Sequence, residues 1–264
     1  MFPMANASEW NAAGYARISG LQQQMAAEAL APLTLIGTER VLDIGCGQGK
    51  VTAEIAARVP RGRVVGVDPS RDMIDFATAH FDAANLRFEV GDARALTFNA
   101  EFDCVVSFNA LHWVPDQDAA LQSIRRALSP NGRALLRLVP MGERKSLETV
   151  VEETRTAARW RSAFTGFIDP YLRLTPDQYR AAAARNGFRV LQITCMTKEW
   201  DFGTHDAFYA FCAVGLVAWT SRLAQDQRAA FVDDVMTRYE APATSPSRNV
   251  FRFYQMDVQL ALAS

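Results

Sequence analysis

The sequence predicts an α/β fold built on an open, mostly parallel sheet, and three observations carry that prediction. Short apolar runs alternate with helical patterns through the first half of the chain; each run ends in glycine, an acid or both; and glycine-rich turns lead from run to helix. At 264 residues the chain can bury a full core, so residues 1–264 are read as one domain.

The first unit, Val41-Leu42-Asp43-Ile44-Gly45-Cys46-Gly47-Gln48-Gly49, is an apolar strand running into three glycines with an acid before the first. Glycines remove Cβ atoms, so the backbone can turn sharply and approach a ligand. The following helix, Val51 to Arg58, aims its free N–H groups at the same place. A dinucleotide fingerprint needs Gly-x-Gly-x-x-Gly, but counting from Gly45 its third glycine falls on Lys50, and Asp43 would put negative charge beside a pyrophosphate. S-adenosyl-L-methionine (SAM) has no phosphate and carries an ammonium and a sulfonium, so a carboxylate beside bare backbone suits it on charge grounds. A glycine-rich turn without any ligand would look the same at this one place. The second unit, Arg63 to Ser70, separates the two readings, because its apolar strand ends in Asp68, where doubly wound sheets hold ribose hydroxyls. A third, Leu86 to Ala93, ends in Gly91-Asp92. A fourth, Phe102 to Asn109, continues into Ala110-Leu111-His112-Trp113.

These four units in this order resemble the class I SAM-dependent methyltransferases over residues 35–140, the SAM-binding core. The resemblance implies a Rossmann-like, seven-stranded, mostly parallel sheet of order 3-2-1-4-5-7-6, strand seven antiparallel, with SAM as cofactor. It also implies that Asp43, Gly45 and Gly47 line the methionine part, Asp68 the ribose, Met73 one adenine face, and Asp92 and Ala93 the adenine edge, with Asn109 at the methionine end. Leu111-His112-Trp113-Val114 and Ser19-Gly20-Leu21-Gln22 are similar to the small-molecule carboxylate methyltransferases of the juvenile hormone acid and trans-aconitate type. That likeness implies that Gln22 and Trp113 hold a substrate carboxylate. One departure, Asn131-Gly132 where relatives usually carry two glycines, is benign because Asn tolerates a left-handed turn.

The second half breaks the alternation. Strand five is expected over Arg133–Pro140 and a helix over Leu147–Arg161. Another helix starts at Thr175-Pro176, with Thr as N-cap and Pro at N1, and ends at Asn186-Gly187. Phe188–Phe202 and Val250–Leu262 read as strands six and seven. Helices Asp206–Leu223 and Gln225–Tyr239 lie between them, followed by an exposed Pro/Ser/Thr-rich loop, Ala241–Ser247. Ligands in open α/β sheets bind outside the carboxyl ends of the strands, so insertions 141–186 and 203–247 are expected to form a helical cap there. Their aromatics, among them Trp160, Phe164, Phe167, Tyr171, Phe208, Phe211 and Trp219, should mostly form the cap's own core and leave any cavity apolar. The charged residues of 141–173 are expected mostly on a solvated helix face. Arg137 interrupts an apolar strand, which calls for a buried partner; an ion pair is favoured over a substrate contact.

Composition excludes other classes. A net charge of −1 and a pI near 6.3 give no nucleic-acid surface. Cys46, Cys104, Cys195 and Cys212 form no Cys-x-x-Cys pair and sit in apolar runs, so they read as buried free thiols in a reducing compartment, and no metal is expected. Met1-Phe2-Pro3-Met4 leads into polar residues and not an apolar secretory segment, and the longest apolar stretch, Ala207–Trp219, falls short of the roughly 20 residues a membrane span needs. A cytoplasmic protein, monomer or homodimer, with a small-molecule substrate is expected.

A substrate carboxylate is already ionised near neutral pH and needs orientation, not a base. A hydroxyl would need one, and His112 is the histidine at the sheet's active edge, though a packed or capping histidine would look alike; Trp113 has the same ambiguity, as a packing aromatic under the cap. The expectation is a SAM-dependent O-methyltransferase acting on the carboxylate of a small, fairly apolar acid, with His112, Gln22 and Trp113 at the reacting end. The alternatives are a methyltransferase for a hydroxyl, amine or carbon nucleophile and, farther off, a SAM-binding module without turnover.

Overall fold

A computed structural model describes residues 19–240 and 249–263, without the side chains of Ser19, Gly20, Gln22 and Gln23. Helix α1 (Ser19–Leu30) leads into the sheet of β1 (Arg40–Ile44), β2 (Arg63–Asp68), β3 (Leu86–Val90), β4 (Phe102–Phe108), β5 (Leu128–Leu138), β6 (Phe188–Asp201) and β7 (Val250–Leu262). Their order is 3-2-1-4-5-7-6, and only the pairings of β7 with β5 and β6 are antiparallel. Helices α2 (Lys50–Arg58), α3 (Arg71–His80) and α4 (Gln117–Ala127) return the chain between parallel strands.

Both sheet faces are buried, which is why the central strands read as continuous apolar runs and not as alternating ones. Leu42, Ile44, Val65, Val67 and Val105 point into one core, while Val41, Val64, Cys104 and Val106 point into another with Leu30, Ile55 and Val59. A third core lies beyond the strand ends. It gathers α5 (Leu147–Arg155), α7 (His205–Gly215), α8 (Val217–Thr220) and α9 (Gln225–Glu240) around Trp160, Phe164, Trp219 and Phe231, and reaches the sheet through Phe251 and Phe253. Most of the aromatics expected in a cap are thus packed against one another.

Several expectations need correction. The helix expected over Leu147–Arg161 stops at Arg155. Thr154 Oγ1 donates to the Val150 carbonyl and Thr156 Oγ1 to that of Glu153, competing with the backbone ladder. The chain then continues in tighter turns that let Trp160 and Phe164 both meet Phe231. The helix expected over Asp206–Leu223 divides after Gly215 into α7 and α8. β5 begins at Leu128, directly after α4, and stops at Leu138. Helix α1 was not legible in the sequence at all. Cys195 is exposed, unlike the other three cysteines. It lies on the edge strand β6, where Leu191 is also 47% exposed. The expected loop Ala241–Ser247 lies outside the described residues.

By contrast, helix α6 (Pro176–Arg185) starts as its residues dictate. Thr175 Oγ1 accepts from the Gln178 amide while Gln178 Oε1 accepts from the Thr175 amide, closing a capping box with Pro at N1. Arg137 is 3% exposed and pairs through Nε and Nη2 with Asp257 of β7 at 2.6 and 2.7 Å. Its Nη1 and Nη2 also donate to the carbonyls of Met25 and Glu28 on α1, so the ion pair anchors that helix to the sheet. Among the described residues no helix is long and apolar enough to cross a membrane.

Candidate functional site

A cavity of about 1480 Å³ opens over the carboxyl ends of β1, β2, β4 and β5. The pocket for a single small ligand usually spans roughly 300–1000 Å³, so this space has room for two. One half is bounded by the glycine loop, Asp68, Met73, Asp92 and Ala93; the other by α1, the 110–118 turn, residues 167–172, α7 and β7.

The glycine loop is shaped by steric need. At Gly45, φ is 76° and a Cβ would lie 2.1 Å from that of Ala110, so only glycine lets the loop pass the turn after β4. A Cβ on Gly47 would meet nothing within 4 Å, so this stretch of bare backbone borders open space. Its amide donates to Asp68 Oδ2 at 3.0 Å and that of Ser70 to Oδ1 at 2.9 Å, which fixes the carboxylate at the end of β2. Burial raises the pKa of Asp68 and these two amides oppose the rise. Asp43 is 2% exposed and accepts from Thr52 Oγ1 at 2.7 Å. Burial, with a smaller contribution from the Asp68 charge, lifts its pKa to about 7 even against that hydrogen bond. Two acids thus face one cavity.

Met73 is buried at the start of α3, where Ser70 Oγ caps its amide. Asp92 lines the cavity while gripped by Arg94 through Nε and Nη2; burial alone would raise its pKa, but this fork carries it below the usual carboxylate range. Asn109 ends β4 with φ of 58°, a left-handed backbone uncommon outside glycine. Its amide N donates to the Arg137 carbonyl, and its side-chain Oδ1 accepts from Gln255 Nε2 at 3.3 Å.

At the other half, His112 is 5% exposed, and burial drives its pKa down to about 3. Its Nδ1 accepts from the Val139 amide at 3.3 Å, so the proton of the neutral ring sits on Nε2. Trp113 lines the cavity, edge-on to Tyr171 at 4.9 Å and to Trp219 at 6.0 Å. Leu21 and Met25, four residues apart on α1, line it too, whereas the side chain of Gln22 lies outside the described residues, as does the segment before Ser19.

Sequence reasoning missed three groups here. Gln117 Nε2 ties the 111–114 turn by donating to the Leu111 and Val114 carbonyls; Glu148 lines the cavity, its pKa raised by burial; Gln255 stands behind Asn109. A lone Gln or Glu in an amphipathic segment carries no signal of such a role.

The sequence matches a family described as Methyltransferase domain over residues 41–132. It is 29% identical over 263 residues to a trans-aconitate 2-methyltransferase of Deinococcus radiodurans, covering 92% of this chain and 93% of the relative. It is 31% identical over 166 residues to a juvenile hormone acid O-methyltransferase of Bombyx mori, covering 60% of each. Among solved structures, a Haemonchus contortus phosphoethanolamine N-methyltransferase 2 with bound S-adenosylhomocysteine (SAH) superimposes with a TM-score of 0.62 at 18% identity, covering 97% of this chain and 58% of that one. The [4+2]-cyclase SpnF gives 0.61 at 18%, covering 91% and 80%. Such distant likeness speaks for the fold alone, on which more than one reaction is carried out. The domain match, the relatives and the sheet order agree on a SAM-dependent methyltransferase, similar to those that act on trans-aconitate and juvenile hormone acid.

Proposed function

We propose that the protein is an O-methyltransferase that methylates the carboxylate of a small, fairly apolar acid by in-line transfer. One observation carries this reading: the acceptor half of the cavity is walled by apolar groups such as Leu21, Met25, Phe167, Phe211 and Phe253, and its histidine is neutral with Nδ1 engaged and Nε2 protonated. Such a histidine accepts no proton near neutral pH, and a carboxylate acceptor asks for none. The two relatives from Deinococcus radiodurans and Bombyx mori act, by their names, on acids.

The residues present fit SAM, since two acids face a cavity beside bare backbone. Asp43, Gly45, Gly47 and Asn109 would hold its amino-acid part, Asp68 the ribose diol, and Met73, Asp92 and Ala93 the adenine. Bound there, SAM supplies a methyl group activated by its sulfonium. The chain's own task is then to aim one carboxylate oxygen at that methyl and to keep water out, with Gln22 and the Trp113 indole N–H orienting the acceptor. Residues 141–186 and 203–240 form the cap over both ligands, within a single cytoplasmic domain that acts as a monomer or homodimer on a small molecule.

A screen of aliphatic and isoprenoid acids against matched phenols and amines, read by SAH release, tests the proposal. Gln22→Ala and Trp113→Phe should each lower turnover of a good acid by about 10- to 1000-fold, the loss expected of an orienting contact. His112→Ala should cost far less. At saturating cofactor and acceptor the rate should stay level between about pH 6.5 and 8.5, as for chemistry without a base. Turnover confined to phenols or amines, and lost in His112→Ala or Glu148→Gln, would overturn the proposal in favour of base-assisted transfer.

A further inference from the structure

Gln255 is 0% exposed, between neighbours on β7 that already have tasks: Phe251 and Phe253 wall the cavity, and Asp257 holds Arg137. Its Nε2 donates to Asn109 Oδ1 at 3.3 Å, while its own Oε1 is buried with no hydrogen-bond partner. A buried amide with an unmatched carbonyl is poor structural material; an apolar side chain of similar size would fill the same space without that defect. Its one polar contact is to a side chain that borders the cavity on a left-handed backbone.

We infer that Gln255 is a positioning residue: it holds the Asn109 amide so that Nδ2 faces the cavity as a hydrogen-bond donor for a carboxylate, that of the cofactor's amino-acid end or of the acceptor. The inference rests on the methyltransferase reading and adds a residue to it. Asn109 has two polar ends, and whichever one meets Gln255 leaves the other for a ligand. Turning both amides over would present Oδ1 to the cavity and leave both N–H donors of the buried Gln255 unmatched in place of one N–H and the carbonyl, and an orphaned buried N–H is the rarer defect. The observed arrangement presents a donor. Asn109 is also tied through its backbone to Arg137, so Gln255 fixes the one remaining freedom, rotation of the side-chain amide.

The test uses the full chain with Gln255→Leu, Gln255→Glu, Asn109→Ala and the Asn109→Ala/Gln255→Leu double variant. SAH and 5′-methylthioadenosine, which lacks the amino-acid end, are titrated by calorimetry, and acceptor kcat/KM is measured separately. Gln255→Leu should keep its melting temperature and lose about tenfold, in SAH affinity if the cofactor carboxylate is the partner or in acceptor kcat/KM if the acceptor is. Methylthioadenosine affinity should not move. The double variant should lose no more than Asn109→Ala alone. Burial should raise the carboxyl of Gln255→Glu above the usual carboxylate range, so this variant should match the wild type at the acid end, where the protonated group still donates to Oδ1, and fall off as pH rises, where the ionised group draws Nδ2 towards itself and turns the amide. A side chain that merely fills space produces no such pH limb. The ¹⁵N–¹H side-chain pair of Asn109, identified by its absence in Asn109→Ala, should shift in Gln255→Leu. Gln255→Leu within twofold of the wild type in both measurements, or losses that add in the double variant, would overturn the inference. Failure of the wild type to bind SAH would overturn the cofactor reading along with it.

Discussion

Asp43 holds a charge the fold would rather not carry. Its pKa in the free protein is about 7 against a model-compound value of 3.8, with burial as the main cause. A folded-state pKa above the unfolded one means that stability is intact below about pH 4 and is lost as pH rises through 7. Asp43→Asn keeps an acceptor for Thr52 and removes the charge. Denaturant melts of the free protein should therefore show the variant more stable by about 2–4 kcal/mol at pH 8, the gap closing towards pH 4. The same shift governs binding, since the ammonium group of SAH or SAM would be met best by the ionised carboxylate. SAH affinity should fall up to about tenfold for each pH unit below 7, and calorimetry on Asp43→Asn should find weak binding without that slope. Asp68→Ala should weaken SAH binding by about 30- to 1000-fold, the loss of two charge-assisted bonds to the ribose. Unchanged affinity in a folded Asp68→Ala protein would remove the ribose assignment.

Among the elements, α1 depends most on its neighbours. Its residues pattern weakly as an amphipathic helix. It is held by Arg137, which reaches the Met25 and Glu28 carbonyls, and by Lys198 of β6, paired with Glu28 at 2.7 Å. Asp257→Asn takes one partner from the buried Arg137 and should cost about 3 kcal/mol, the usual penalty for a stranded buried charge. Amides of α1 should then exchange faster while those of β1 and β4 do not; equal change throughout would mean that the pair supports the sheet and not the helix. This dependence is also why α1 escaped the sequence, whereas α6 was legible from one end to the other: Thr175, Pro176 and Gln178 carry its start and Asn186-Gly187 its stop in local chemistry alone.

For the whole molecule, the sheet was readable because parallel strands buried on both faces are apolar throughout, and Asp43, Asp68, Asp92 and Asn109, at or near strand ends, all border the cavity. Gln255 could not be found this way. Period-two alternation says that it faces inward but not that Asn109 faces it. His112 was ambiguous for a related reason, since burial keeps its ring neutral and the amide of Val139, far along the chain, sets its tautomer. The third core packs beyond the strand ends and shares walls with the cavity, so ligands must pass it to enter and leave. Hydrogen exchange should show residues 141–173 and 203–240 gaining protection when SAH and an acceptor are both bound; no gain in either segment would rule out closure.

One face of β7 meets the cavity wall, the Asn109 amide and the anchor of α1 at Phe251 and Phe253, Gln255 and Asp257, and β7 is made after every other described element. A nascent chain that has reached residue 249 has β1 to β6 but none of those three contacts. Its β5 and β6 also each lack the neighbour that stands between them in the finished sheet. Translation and competence are thereby tied: a product cut short before Val250 offers two open strand edges to its surroundings and is a seed for aggregation, not a partly active enzyme.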